Sequence, residues 1–224
     1  MAEHERECFA RALECPVEGI TPWDLLQGPP DKAAVEGSDL LLVGGSGSFS
    51  TLDELPWIRK FFDFITSTVI PGEIPTFASC FGFQAIIRAG GGTMVRDPSR
   101  AEVGTYTISL SAEGLKDPLL GGLGPSFAAQ LGHKDHATSL PAGTQLLASS
   151  ERSPFQALRV DGTQILGTQF HPELDQEANI YRYEAYRAAY RGSAADDDDE
   201  VLDRMLPSPG ATSLLPTWAA QVLA

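Results

Sequence analysis

The sequence is short of cysteine, of positive charge and of long apolar runs, and each shortage removes a class of function. Cys8, Cys15 and Cys80 are its 3 cysteines, with no C-x-x-C pair among 224 residues. So odd and sparse a set argues against a disulfide framework or a zinc site. Lys and Arg number 16 against 30 Asp and Glu, a formal net charge of −14. Nucleic acid and anionic membranes need basic patches, so that balance disfavours both as partners. No apolar run approaches membrane-spanning length, and Met1-Ala2-Glu3-His4-Glu5-Arg6-Glu7 lacks the apolar centre of a signal peptide. A cytoplasmic location is the default expectation.

The composition that remains, 42% hydrophobic and 21% charged, is ordinary for a folded globular chain and suits one α/β domain over residues 1–224. Asp39 to Val43 is a continuous apolar run ending in Gly44-Gly45-Ser46-Gly47-Ser48, which reads as a parallel strand buried on both faces. Leu55 to Thr68 carries Trp57, Ile58, Phe61, Phe62 and Ile65 at helical spacing and is expected to pack by that face. Ile74 to Ala78 is a second buried strand, followed by a helix from Phe81 to Ala89 closed by Gly90. Strand, helix, strand, helix with glycine-rich turns is the doubly wound pattern, a mostly parallel sheet flanked by helices. After Gly90-Gly91-Gly92 come short strand-like runs, Thr93–Val95, Gly104–Leu110, Phe127–Leu131, Leu146–Ser149, Phe155–Val160 and Gln164–Gln169, several expected as antiparallel hairpins. Helices are expected over Glu3–Leu13, with Cys8 buried, over Gln176–Arg191, and over Leu214–Leu223. The tail from Gly192 to Ala211 reads as loop-rich, its acidic run Asp196 to Glu200 as a solvated loop with a cation site the lesser alternative.

One element is missing. A doubly wound domain normally opens with a strand, yet this chain opens in a helix, and Ile20-Thr21-Pro22-Trp23 is the first candidate for a strand. Either the start is truncated relative to relatives or the sheet is one strand short. A weakened sheet beside the site is expected in both cases, since a missing inner strand leaves backbone groups unpaired.

The chemistry concentrates in two places. Cys80 stands where a strand turns into a helix, which exposes its sulfur above the sheet at the positive end of a helix dipole, a field that favours a nucleophilic thiolate. Far downstream, His171-Pro172-Glu173 ends another strand and offers a base with a carboxylate to orient it. His133, Asp135 and His136 form a third group that could shape a pocket, contact a partner or cap a turn. A metal reading for them is weaker, because no third close ligand is visible.

These blocks, Gly44-Gly45-Ser46-Gly47-Ser48, Cys80-Phe81-Gly82-Phe83-Gln84 and His171-Pro172-Glu173, occur in an order that resembles the triad-type class I glutamine amidotransferase domain from about Asp39 to Arg191. Gly132-His133-Lys134-Asp135-His136 with Leu140-Pro141 is similar to stand-alone members related to the glutaminase part of GMP synthase, a group that includes γ-glutamyl peptidases. The elbow departs from the usual pattern at Ala78, commonly Gly, and at Ser79, commonly aliphatic. The resemblance implies a flavodoxin-like α/β fold and a triad of Cys80, His171 and Glu173. It also implies oxyanion donors at the N–H of Phe81 and of Gly45 or Ser46, with Gln84 helping to seat the substrate. Neither a cofactor nor a metal is implied. The expected activity is hydrolysis of a γ-glutamyl amide, in glutamine or a γ-glutamyl compound, through a cysteine thioester. Two alternatives stand beside it: an ammonia-supplying glutaminase subunit for a separate synthetase, and a catalytically weak binding protein of the same fold.

Overall fold

The computed structural model describes residues 1–224. In chain order its strands are β1 (Leu41–Val43), β2 (Thr76–Ser79), β3 (Thr93–Arg96), β4 (Glu102–Leu110), β5 (Ser126–His133), β6 (Asp135–Ser139), β7 (Thr144–Ser149), β8 (Ala157–Val160) and β9 (Ile165–Thr168). Its helices are α1 (Ala2–Ala12), α2 (Lys32–Glu36), α3 (Pro56–Phe64), α4 (Phe81–Ala89), α5 (Gln176–Tyr186), α6 (Asp198–Asp203), α7 (Pro209–Thr212) and α8 (Leu214–Val222). The α/β architecture is as expected. A 7-stranded sheet runs β1-β2-β9-β8-β7-β4-β5, and β3 pairs with β6 in a separate 2-stranded ribbon. β1, β2 and β9 are parallel, and the rest of the large sheet continues antiparallel. No helix is long and apolar enough to cross a membrane.

Alternation along the strands supplies both faces of the sheet. Val43, Ala78, Leu158 and Ile165 point into one core with Phe61, Phe64, Phe83 and Ile86 of α3 and α4. Phe77, Ala157 and Leu166 point the other way, against Phe9 of α1 and Trp218 of α8. Pro56 opens α3 where its missing N–H costs nothing, and the helix closes in a wider turn over Ile65–Val69.

Three expectations need correction. Ile20–Trp23 forms no strand. Pro22 offers no N–H to a ladder, and the Trp23 indole instead donates to the Gly28 carbonyl at 2.8 Å. The sheet therefore begins with β1 at its edge, directly beside β2, the strand that leads to Cys80. The segment Asp135–Ser139, read only as a site motif, is strand β6. The acidic run is helical rather than loop. Asp197 caps α6 by accepting from the N–H groups of Asp199 and Glu200, where negative charge suits the helix dipole. Asp198 accepts from the Tyr183 hydroxyl at 2.6 Å and pairs with Arg187 and Arg191.

Candidate active site

The sheet brings the ends of β1, β2 and β9 side by side, and the chemistry-bearing residues sit at those ends. Cys80 continues the ladder by donating its N–H to Thr168 O at 2.8 Å. The chain then turns sharply with Cys80 at φ +49°, ψ −100°, a conformation costly for a residue with a side chain. Helix α4 starts at the next residue. The turn closes only because position 82 is glycine: a Cβ there would lie 2.4 Å from Val43 O and 2.7 Å from Val43 Cγ1. Gly82 instead donates its N–H to Gly44 O at 3.2 Å, tying the elbow to the glycine turn after β1.

His171 arrives from the neighbouring strand end, its own N–H donating to Gln130 O at 2.9 Å. Its Nδ1 lies 2.6 Å from Glu173 Oε1, so Nδ1 carries a proton shared with that carboxylate and Nε2 is the nitrogen left for proton transfer. Cys80 and His171 line the same groove. Cys80, His171 and Glu173 are all buried. Burial works against charge on His171, but the negative charges of Glu173 and Cys80, with the hydrogen bond to Glu173, outweigh it and push its pKa up to about 10. Burial likewise opposes charge on Glu173. The His171 charge and hydrogen bond and then the charge of Arg182 overcome it, holding the carboxyl below its usual range.

Around Glu173 the structure adds partners. The hydroxyl of Ser79, the residue that departs from the usual elbow pattern, donates to Glu173 Oε1 at 3.3 Å. Arg182 of α5 reaches the same oxygen with Nη1 at 3.6 Å, while its Nη2 lies 3.5 Å from Glu5 of α1. Glu5 also accepts the Gly45 N–H at 3.0 Å. Sequence reading passed over both Arg182 and Glu5. The available signal was a charge on an inward helix face: Arg182 lies between the buried Ala178, Asn179 and Tyr183 and the aromatic Tyr186.

The other anticipated residues divide. Phe81, first residue of α4, presents an N–H from a helix turn whose donors have no intrahelical partner. Ser46 spends its hydroxyl on the Phe49 N–H at 3.1 Å. Gln84 is buried and its amide donates to Gln169 Oε1 at 3.0 Å, yet it lines a cavity of about 260 Å³ with Cys80, Phe81, His133, Asp135 and Tyr190. A larger groove of about 940 Å³ follows the open flank of β1, past Phe9, Leu40 and Leu42, and reaches Cys80 and His171. Asp135 accepts from Ser50 and from Arg96 Nε.

His136 does not line the small cavity. It lies behind it, fully buried and edge-on to His133 at 4.9 Å between ring centroids. The expectation that no third close ligand accompanies these histidines is corrected. Glu102, His133 and His136 bring ligand-type atoms within 4.8 Å of one another. Within that group His133 Nε2 and Glu102 Oε2 form a buried pair at 3.1 Å, and His133 Nδ1 meets Asp135 O at 3.0 Å. Burial first, then the charges of His133 and Arg100, lowers His136 to about 4 and keeps it neutral.

Most of the chain is similar to known proteins. Residues 11–183 match the family model described as glutamine amidotransferase class-I. One subunit of the glutamine-hydrolysing GMP synthase of Sulfolobus acidocaldarius is 34% identical over 146 residues, 65% of this chain and 73% of that protein. The glutamine-hydrolysing GMP synthase of Thermosipho melanesiensis is 30% identical over 69% of this chain but only 27% of its own length. A solved glutamine amidotransferase from Thermotoga maritima superposes with a TM-score of 0.74, covering 97% of this chain and 90% of that one at 18% identity. One from Methylobacillus flagellatus gives 0.70, covering 96% and 85% at 22% identity. At those identities the two structures speak for the fold alone.

Proposed function

The chain belongs to the class I glutamine amidotransferase family, and from that footing we propose that it hydrolyses a γ-glutamyl amide bond through a thioester on Cys80. The observation that carries the reading is the convergence of three side chains from two neighbouring strand ends: a cysteine on a strained elbow after β2, and after β9 an imidazole hydrogen-bonded to a carboxylate at 2.6 Å, that carboxylate braced by Ser79 and Arg182.

His171 accepts the thiol proton, and the sulfur attacks the amide carbon. Negative charge gathers on the carbonyl oxygen, for which the N–H groups of Phe81 and Gly45 are the donors; one such donor is typically worth about 3 kcal/mol. Collapse of the intermediate breaks the C–N bond, and His171 delivers its proton to the departing ammonia or amine. Water then attacks the thioester with His171 again as base, releasing glutamate and restoring the thiol. Glu173 keeps Nδ1 protonated and stabilises the imidazolium throughout.

A second reading has an observation of its own. The chain spans most of the separate GMP synthase subunit it matches but about a quarter of the longer synthase, so the ammonia could feed a separate synthetase polypeptide of that kind. Glutamate release from glutamine and from a γ-glutamyl dipeptide, with Cys80→Ala beside it, tests the first reading. Release lost in the variant supports it. Release absent from the purified chain but restored by a synthetase partner would favour the second, and absence under both conditions would refute enzyme activity.

A further inference from the structure

The N–H of Gly45, one of the two donors assigned to the developing oxyanion, is already bonded. Its acceptor is Glu5 Oε1 at 3.0 Å, carried in from 40 residues upstream on α1. The fit is close: a Cβ on Gly44 would lie 2.4 Å from that same oxygen. The peptide of Gly45 is also pressed against the reactive groups, for a Cβ there would lie 2.8 Å from His171 Cε1 and 3.7 Å from both Cys80 Cβ and Arg182 Nη1. Arg182 adds a positive charge 3.5 Å from Glu5. A backbone donor and a guanidinium beside an imidazole make a cradle for a carboxylate.

We propose that this cradle is a carboxylate-binding seat for the γ-carboxylate of the product glutamate, filled from within the chain by Glu5. The assignment rests on the hydrolase reading and adds a ligand and a competitor to it. A glutamate side chain is chemically the end of the product and matches the end of glutamine in shape. Glu5 therefore stands in for a ligand and holds the Gly45 donor away from substrate. The occupant is also built to leave: its side chain retains 30% of its exposure, and α1 has no side-chain cap at its start. Burial raises the Glu5 pKa against the opposing charge of Arg182, so the anion is held at some cost. Substrate and α1 compete for one donor, and a site free for only a fraction of the time binds its ligand more weakly by that fraction.

The test uses L-glutamate as the probe, with binding followed by titration calorimetry and glutamine turnover measured in parallel on the wild type, Glu5→Ala and Glu5→Gln. A seat free about one-tenth of the time predicts that Glu5→Ala binds glutamate about tenfold more tightly and lowers KM for glutamine by a similar factor. Glu5→Gln keeps the length and the acceptor but loses the charge, and is expected to fall between. It carries the test if circular dichroism shows that the alanine variant is unfolded. Glutamate affinity and KM unchanged in both variants would overturn the proposal, while activity that still depends on Cys80 would leave the hydrolase reading standing. Tighter glutamate binding in variants that never turn over glutamine would support the seat and sink the hydrolase reading instead.

Discussion

Arg182 Nη1 lies 3.6 Å from Glu173 Oε1, so the carboxylate that orients His171 is itself oriented by a cation on a different element. Arg182→Gln removes that charge while keeping a polar end. The expected result is a fall in kcat of roughly tenfold, a fraction of the 10²–10⁴ that general acid–base catalysis contributes. The acidic limb of the pH–rate profile should move to higher pH, since Glu173 loses one of the groups holding its carboxyl down. A fall in KM with kcat and the limb unmoved would show that Arg182 serves only to hold Glu5.

Cys80 accepts φ +49° because its surroundings impose it. Glycine is at ease with positive φ. Cys80→Gly should therefore abolish turnover yet raise stability by about 1 kcal/mol, the low end of what such strain costs. Chemical denaturation measures it, and a loss of stability would mean that the turn is not strained in the folded chain.

Gly82→Ala introduces a Cβ 2.4 Å from a backbone oxygen that cannot step aside cheaply. Overpacking of this kind typically costs about 1–3 kcal/mol. Activity should fall with it, because the same contact sets the elbow against the Gly44–Gly45 turn. Full activity at wild-type stability would contradict the packing described for α4.

His136 carries the clearest pH signature. Its pKa drops from the ordinary 6.5 to about 4, chiefly through burial and then through the charges of His133 and Arg100. On unfolding the ring takes up a proton that the folded state refuses, so stability falls as pH drops from about 6.5 to about 4. At 1.36 kcal/mol per unit the group accounts for roughly 3 kcal/mol over that window. His136→Phe should flatten this part of the stability–pH curve, and an unchanged slope would place the acid sensitivity elsewhere.

What could be read from the sequence was whatever chain neighbours specify. Cys80, Gly82 and Gln84 declare an elbow because strand, turn and helix follow one another without a break, and His171 reaches Glu173 across two residues. Partners chosen by the fold left fainter traces. Glu5 meets Gly45 across 40 positions and Glu102 meets His133 across 31, and neither separation leaves a periodic pattern. Ile20–Trp23 had strand-like residues, but an inner proline and no neighbouring strand left it without a ladder. The acidic run showed charge and concealed a cap, since Asp197 has an acceptor role only once α6 exists.

The contact between Gly82 and Val43 works as a ruler. The two proposed oxyanion donors sit on different elements, Gly45 after β1 and Phe81 at the start of α4, and their spacing is set where the glycine rests against the valine. A misplacement of 1 Å can cost about a hundredfold in rate. The gap between the two proposed donors is thus gauged by a backbone contact at the edge of the sheet, and a side chain added at position 82 would widen it without touching a reactive atom.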